Sequence, residues 1–420
     1  MTQRSTRIER PPHPRSRPST ATRALVLLSA LPILLAATAS AQETQPLGCG
    51  LQNQPAATVL LPYFEVDLQD PQGRTTLFSV GNAADDYKLA HATVWTNWGQ
   101  PVYSFDFFVA PGGVQSFNLR DVLDGNIPET SDPDVAALYA SCTAPLAQPA
   151  LDPAALRSVL TGLPHPGDGL CYAQGVEEGA VATGYVTVDV VQDCSGSSLM
   201  TPQDAGYLGD CATGLASNEN VLWGDFFLVD PSENSAQGES LVSLVADQAR
   251  FGVPFLCVDP PCGWRIGETF HAPDGNRMPL PSAFETRFLN GGGFDGGTDL
   301  LLWLDGALGP MACDQVATMV DPMTVEVDLR GEHGGSIGQT AFYAGARARR
   351  VRVGGEDLPV SEPFGLMRLR AHSQAGGGSG GGGVGEERQL FVVPLFSASG
   401  RYSVGTRSAP VADFCAIDGE

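Results

Sequence analysis

Between Arg74 and Leu119 the sequence reads RTTLFSVGNAADDYKLAHATVWTNWGQPVYSFDFFVAPGGVQSFNL, and this stretch constrains the fold more than any other. Runs rich in Val, Phe, Thr, Tyr and Trp are separated by Asn, Asp, Gly and Pro clusters, the pattern of antiparallel strands joined by tight turns. Side chains on a strand alternate between faces, so Tyr103, Phe105, Phe107 and Val109 share one face while Ser104 and Asp106 take the other. One packed face and one wet face make a half-buried sheet, and a second sheet must cover the aromatic side. The expected class is all-β, built of antiparallel two-sheet sandwiches.

Residues 1–41 read as a secretory signal and not as structure. Arg4, Arg7, Arg10, Arg15, Arg17 and Arg23 form a basic leader, Ala24 to Ala37 is an apolar run, and Ala39-Ser40-Ala41 is a small-x-small cleavage site. The apolar run is too short for a mature membrane helix. Removing the leader's six Arg and one Glu takes 24 basic residues to 18 and 47 acidic to 46, a net charge of about −28. Such a field repels nucleic acid and anionic membrane. The 43% hydrophobic content is enough for a large core, so the acidity belongs to the surface. The expected location is periplasmic or extracellular.

Val59 to Val66 reads as an edge strand ahead of the central meander. From about 121 to 180 the texture turns to Pro, Asp and Ala; Asp132-Pro133 and Asp152-Pro153 are helix starts, and Gly162 closes the second. This is expected to be a short helical insertion clipped by disulfides. Strand patterns resume at Tyr185 to Val191, Val221 to Val229 and Leu241 to Val245. The first sandwich is thus expected over 42–285 and a second over 286–420, with Gly376 to Gly385 as a flexible loop.

All nine cysteines follow the leader, which for an exported chain implies disulfides and one cysteine left over. Pro260 and Pro261 favour a turn that brings Cys257 to Cys262. Proximity pairs Cys142 with Cys171 and Cys194 with Cys211. Cys313 and Cys415 bracket the second β series and are paired last, leaving Cys49.

The segments ATVWTNWGQP, LWGDFFLVDP, RFLNGGGFDGGTDLLLW and GRYSVG resemble exported bacterial β-sandwich proteins of unassigned function. The resemblance implies secretion and a sandwich fold, and it transfers no catalytic residue. The strand spacing is also immunoglobulin-like, an analogy of architecture alone.

Candidate chemistry is sparse. Gly334-Gly335-Ser336-Ile337-Gly338 matches the nucleophile elbow, but its flanks are strands without a following helix, so it reads as a Gly-rich turn. The histidines are scattered, without metal-ligand spacing, and read as surface or satisfied core groups. Asp295 and Asp299 in a glycine-rich run could offer hard oxygen ligands to calcium, the alternative being an Asx-capped turn. Trp98, in the turn Asn97-Trp98-Gly99-Gln100, is the candidate exposed aromatic for a glycan or surface-protein partner; Trp95, Trp223 and Trp303 lie mid-strand and are assigned to the core. Arg347, Arg349, Arg350 and Arg352 form a basic patch, read as paired with acids such as Glu356 and Asp357, with docking to an acidic partner as the alternative. The expected function is a non-enzymatic exported protein with a binding or structural role, without cofactor unless calcium. The alternative is a secreted hydrolase acting on polysaccharide or ester, which would need two acids, or Ser336 and a histidine, to converge in a cleft.

Overall fold

The computed structural model describes residues 54–177, 179–204, 207, 214–246, 277, 280–291, 296–306, 308–314, 323–331, 334–373, 387–398, 402–405 and 409–410. The leader, Cys49, Cys211, the Cys257–Cys262 turn, Asp295, His271, His333, the 376–385 glycine tract and Cys415 lie outside them.

Strands dominate. In chain order they are β1 (Thr58–Asp67), β2 (Thr75–Asn82), β3 (Lys88–Thr96), β4 (Pro101–Val109), β5 (Val114–Asn118), β6 (Val181–Val190), β7 (Leu222–Asp230), β8 (Ser235–Ser240) and β9 (Val242–Leu244). The second half adds β10 (Ala283–Leu289), β11 (Gly296–Leu304), β12 (Met323–Arg330), β13 (Ser336–Ala344), β14 (Ala348–Arg352), β15 (Phe364–Ser373), β16 (Leu390–Ala398), β17 (Tyr402–Gly405) and β18 (Ala409–Pro410). Three short helices, α1 (Leu119–Leu123), α2 (Pro133–Ala136) and α3 (Pro153–Leu160), lie between β5 and β6. Asp132 and Asp152 cap α2 and α3 as their Asp-Pro starts require, and Gly162 follows α3 with φ of 77°. The α2 helix is a single turn.

Strands of the first half make a first sheet, ordered β4-β3-β6-β1-β9, and a second, β5-β2-β7-β8. Those of the second half make a third, β14-β11-β16-β17, and a fourth, β13-β12-β15-β10-β18. All the pairings between named strands are antiparallel. The fold is therefore all-β and of sandwich type, with a helical insertion held by disulfides.

Alternation explains the outer layers. In β12, Met323, Val325, Val327 and Leu329 are buried, while Glu326 and Arg330 are exposed. The middle layers obey another rule. In β11, Leu301 and Trp303 enter the core of the first two sheets, whereas Leu300, Leu302 and Leu304 enter that of the fourth. The third sheet is covered on both faces, which is why TDLLLWL shows no alternation. Trp303 meets Tyr185 of β6 edge to face at 6.0 Å, and Tyr185 stacks on Trp95 at 5.5 Å. The two sandwiches thus share a continuous core through their inner sheets.

Three expectations are corrected. The meander does not make one sheet, because β2 and β5 lie in the second sheet and β3 and β4 in the first; Phe105 and Phe107 pack on Phe117 across the gap, at 5.4 and 4.7 Å. Its polar face is not wet either. Ser104 and Asp106 are buried, since the chain around Gln148, Ser195 and Met200 closes over them. And β1 is not an edge strand, being paired with both β6 and β9.

The disulfides also differ from sequence proximity. Cys142 bonds Cys194 and Cys171 bonds Cys313, so the pairings of Cys142 with Cys171, Cys194 with Cys211 and Cys313 with Cys415 do not form. Cys142–Cys194 fastens the insertion to the end of β6. Cys171–Cys313 fastens it to the second sandwich, beside reciprocal backbone hydrogen bonds between Cys171 and Met311 of 2.8 and 3.1 Å. No described cysteine is free.

Candidate functional site

A cleft of about 490 Å³ opens between the first and third sheets. Its inner wall is Tyr63 and Glu65 of β1; its opposite wall is Asp299 of β11 with Arg349, Arg350 and Arg352 of β14. Arg74 and Asp230 complete the rim. Strand register does the positioning: Asp299 faces Arg352 directly across the β11/β14 ladder, and alternation sends Arg350 to the same side as Arg352.

Glu65 lies at the centre and is 5% exposed. It accepts the Tyr63 hydroxyl at 2.7 Å, Arg350 at 3.4 and 3.5 Å, and an ion pair from Arg74 at 3.6 Å. Asp299, 6% exposed, accepts Arg350 at 2.6 Å and Arg352 at 3.3 Å. Arg74 also pairs with Glu177. Burial pulls the Arg350 guanidinium pKa down, but Glu65 and Asp299 outweigh it and the net shift is upward. Burial, then Glu65, pushes the Tyr63 hydroxyl well above its ordinary value, so Tyr63 is a fixed donor.

The surroundings of Asp299 are those of an ion pair. Both its oxygens face guanidinium groups, and a cation there would have to displace two arginines. Among the described residues no group of three or more His, Cys, Asp or Glu is placed to hold a metal ion. The basic patch divides: Arg349 pairs with Asp357 at 2.7 Å as expected, whereas Arg350 and Arg352 pair with acids distant in sequence.

Trp98 is not an exposed aromatic. It is 4% exposed, packed with Cys171, Leu308, Met311 and Ala346 where the sandwiches meet, and its carbonyl accepts the Leu308 N–H at 2.7 Å. Trp223, assigned to the core, is instead 43% exposed. Trp95 and Trp303 are buried as assigned. Ser336 stands exposed at the start of β13 opposite Arg330, in a strand-turn-strand setting that lacks the helix an elbow needs.

A second polar cluster is sealed beneath the first sheet. His91 Nδ1 meets Asp106 at 2.6 Å and its Nε2 meets the Met200 carbonyl at 2.8 Å. The other Asp106 oxygen accepts the Ser195 N–H and hydroxyl at 2.7 and 2.9 Å. One strand over, Asp189 accepts the hydroxyls of Thr58 and Tyr207, with Arg277 3.7 Å away. Burial lowers the Arg277 pKa against the opposing pull of Asp189, and burial, then Asp189, raises that of Tyr207. His91, Asp106, Asp189, Tyr207 and Arg277 are each at most 2% exposed, so the cluster is closed off from solvent.

Sequence reading missed Glu65, Arg74 and the Asp106–His91–Asp189 row. For Glu65, His91, Asp106 and Asp189 the available signal was an ionisable residue in the interior of an otherwise apolar or neutral strand run, which burial tolerates only with a partner; Arg74 lies just ahead of β2 and carried no such signal.

No family model matches the sequence, and no curated protein matches it. Among solved structures, it aligns with an FMN-binding beta-glucuronidase from Facaelibacterium prausnitzii L2-6 at 11% identity and a TM-score of 0.16, over 84% of this chain and 35% of that one. It aligns with the structure of the Macrobrachium rosenbergii nodavirus at 7% identity and a TM-score of 0.14, over 88% and 97% of the chains. The chain spans about a third of the glucuronidase's length, and neither likeness is close enough to carry an argument about fold or function.

Proposed function

We propose that this is an exported β-sandwich protein with a binding or structural role in the cell envelope or outside the cell, and not an enzyme. The observation that supports a non-catalytic role is the state of the two central acids of the cleft: Glu65 and Asp299 spend their oxygens on tyrosine and arginine donors, so neither is aimed at open space. A general acid or base needs a free approach to the bond it works on. The half-exposed guanidiniums of Arg350 and Arg352 offer hydrogen-bond donors to a bound group instead.

Export is supported by the basic leader, the apolar run and the Ala39-Ser40-Ala41 site, together with two disulfides, bonds that are common in oxidising compartments and rare in the cytosol. No described helix is long and apolar enough to cross a membrane. The secreted-hydrolase reading keeps one favourable observation, two acids converging on the Arg350 guanidinium in a cleft open to solvent.

One experiment separates the readings. The mature protein is screened on glycan and surface-protein arrays, and in parallel against polysaccharide and ester substrates. Retention without turnover is expected; turnover that Glu65→Gln abolishes would establish the hydrolase. N-terminal sequencing of exported material is expected to begin at Gln42, and an uncleaved cytoplasmic product would overturn the export reading.

A further inference from the structure

The outer face of the second sheet is patterned in rows. On β7, Trp223 and Phe227 point outward and are 43% and 44% exposed. Each lies against a glycine directly across the ladder, Trp223 opposite Gly81 of β2 and Phe227 opposite Gly238 of β8. A Cβ at Gly81 would fall 2.3 Å from the indole, and one at Gly238 would fall 2.4 Å from the phenyl ring. The rings therefore lie down on bare backbone, one face on the sheet and the other toward water. Any larger residue at either glycine would lift the ring.

Between the two rings runs a polar row. Ser116, Ser79, Asp225 and Ser240 stand side by side on β5, β2, β7 and β8, with the Ser79 hydroxyl donating to Asp225. Four residues along a strand set the rings about 13 Å apart, with the polar row midway. No lysine or arginine stands in these rows, and their one charge is Asp225.

We propose that this face binds an extended neutral polysaccharide, whose pyranose rings stack on Trp223 and Phe227 while its hydroxyls meet the serine and aspartate row. A sugar ring has apolar C–H faces and a polar rim, so two flat aromatics, set in apolar rows that also carry Leu77 and Val114 and lying on either side of a hydroxyl row, match a glycan strand. A protein partner would favour a continuous apolar patch, which the polar row interrupts. An acidic polymer would be repelled by Asp225 without a compensating cation. The face lies on a different sheet from the charged cleft, so a role for either can fail without the other.

The test is retention of the mature full-length protein on insoluble cellulose, chitin, xylan and β-1,3-glucan, with Trp223→Ala, Phe227→Ala and, as a control on the fourth sheet, Tyr343→Ala. Retention on at least one polymer is expected. Both ring variants should stay folded and bind about tenfold more weakly, since stacking supplies the contact, and Tyr343→Ala should match wild type. Gly81→Val, which displaces the indole without removing it, should also weaken binding. Lack of retention on all four polymers, or undiminished retention by both ring variants, would overturn the proposal. So would a dimer that Trp223→Ala converts to monomer, which would make the face a contact between copies of the chain.

Discussion

Arg350 of the second sandwich reaches Glu65 of the first at 3.4 Å across 285 residues of chain, while its other arm holds Asp299 at 2.6 Å. One guanidinium thus bridges a carboxylate from each half. Arg350 is 37% exposed at its side chain and Glu65 7%, so the cost of breaking the contact falls mainly on the buried acid.

Arg350→Ala is expected to destabilise the protein by about 1–3 kcal/mol, between the values for exposed and for fully buried pairs. Glu65→Gln in the Arg350→Ala background should recover part of the loss, because it removes a buried charge left with Arg74 at 3.6 Å as its remaining cationic partner. Urea titration of the single and double variants checks this; strictly additive losses would mean that the pair is not coupled.

Alkaline pH should weaken the fold in a defined window. Burial pushes Tyr103 from 10.0 up to about 12, so between these values the unfolded chain loses a proton that the folded chain keeps. The unfolded state then binds fewer protons, and stability falls as pH rises; it is fully present below pH 10. A two-unit shift corresponds to at most about 2.7 kcal/mol, and Tyr63 and Tyr207, also raised, act in the same direction. In urea melts across that window Tyr103→Phe should lose less stability than wild type. Parallel curves would remove Tyr103 as a cause.

Peptide mapping without reduction should recover Cys142 joined to Cys194 and Cys171 joined to Cys313. The second bridge closes the longer loop, 142 residues against 52. In the chain-entropy account these correspond to about 5 and 4 kcal/mol. Cys171→Ser with Cys313→Ser should therefore lower the melting temperature more than Cys142→Ser with Cys194→Ser.

Asp106→Ala should cost about 3–5 kcal/mol, because it strands His91 and two Ser195 donors in a sealed site. Limited proteolysis should then cut first between Ser195 and Asp204, where Ser195 is tied to this carboxylate and Met200 to His91. Unchanged resistance there would show that the segment is held by other contacts.

The class of fold and most of the strands are legible in the chain alone, because alternation, turn residues and Asp-Pro caps act within a few residues. VEVDL reads correctly since β12 has one covered face and one open one. What periodicity cannot say is what covers a face. Ser104 and Asp106 read as solvent-facing and are buried, because a segment about 90 residues away in sequence lies over them. Trp98 in a turn and Trp223 in mid-strand exchanged their expected environments for the same reason: the second sandwich plugs the turn, whereas nothing among the described residues covers the outer face of β7. Cysteine partners and the acids that hold Arg350 are likewise long-range, decided by which sheets stack and in what register. Local chain geometry sets which side chains point together; only the packing of sheet on sheet decides which of those sets meet water, a charge or a ring.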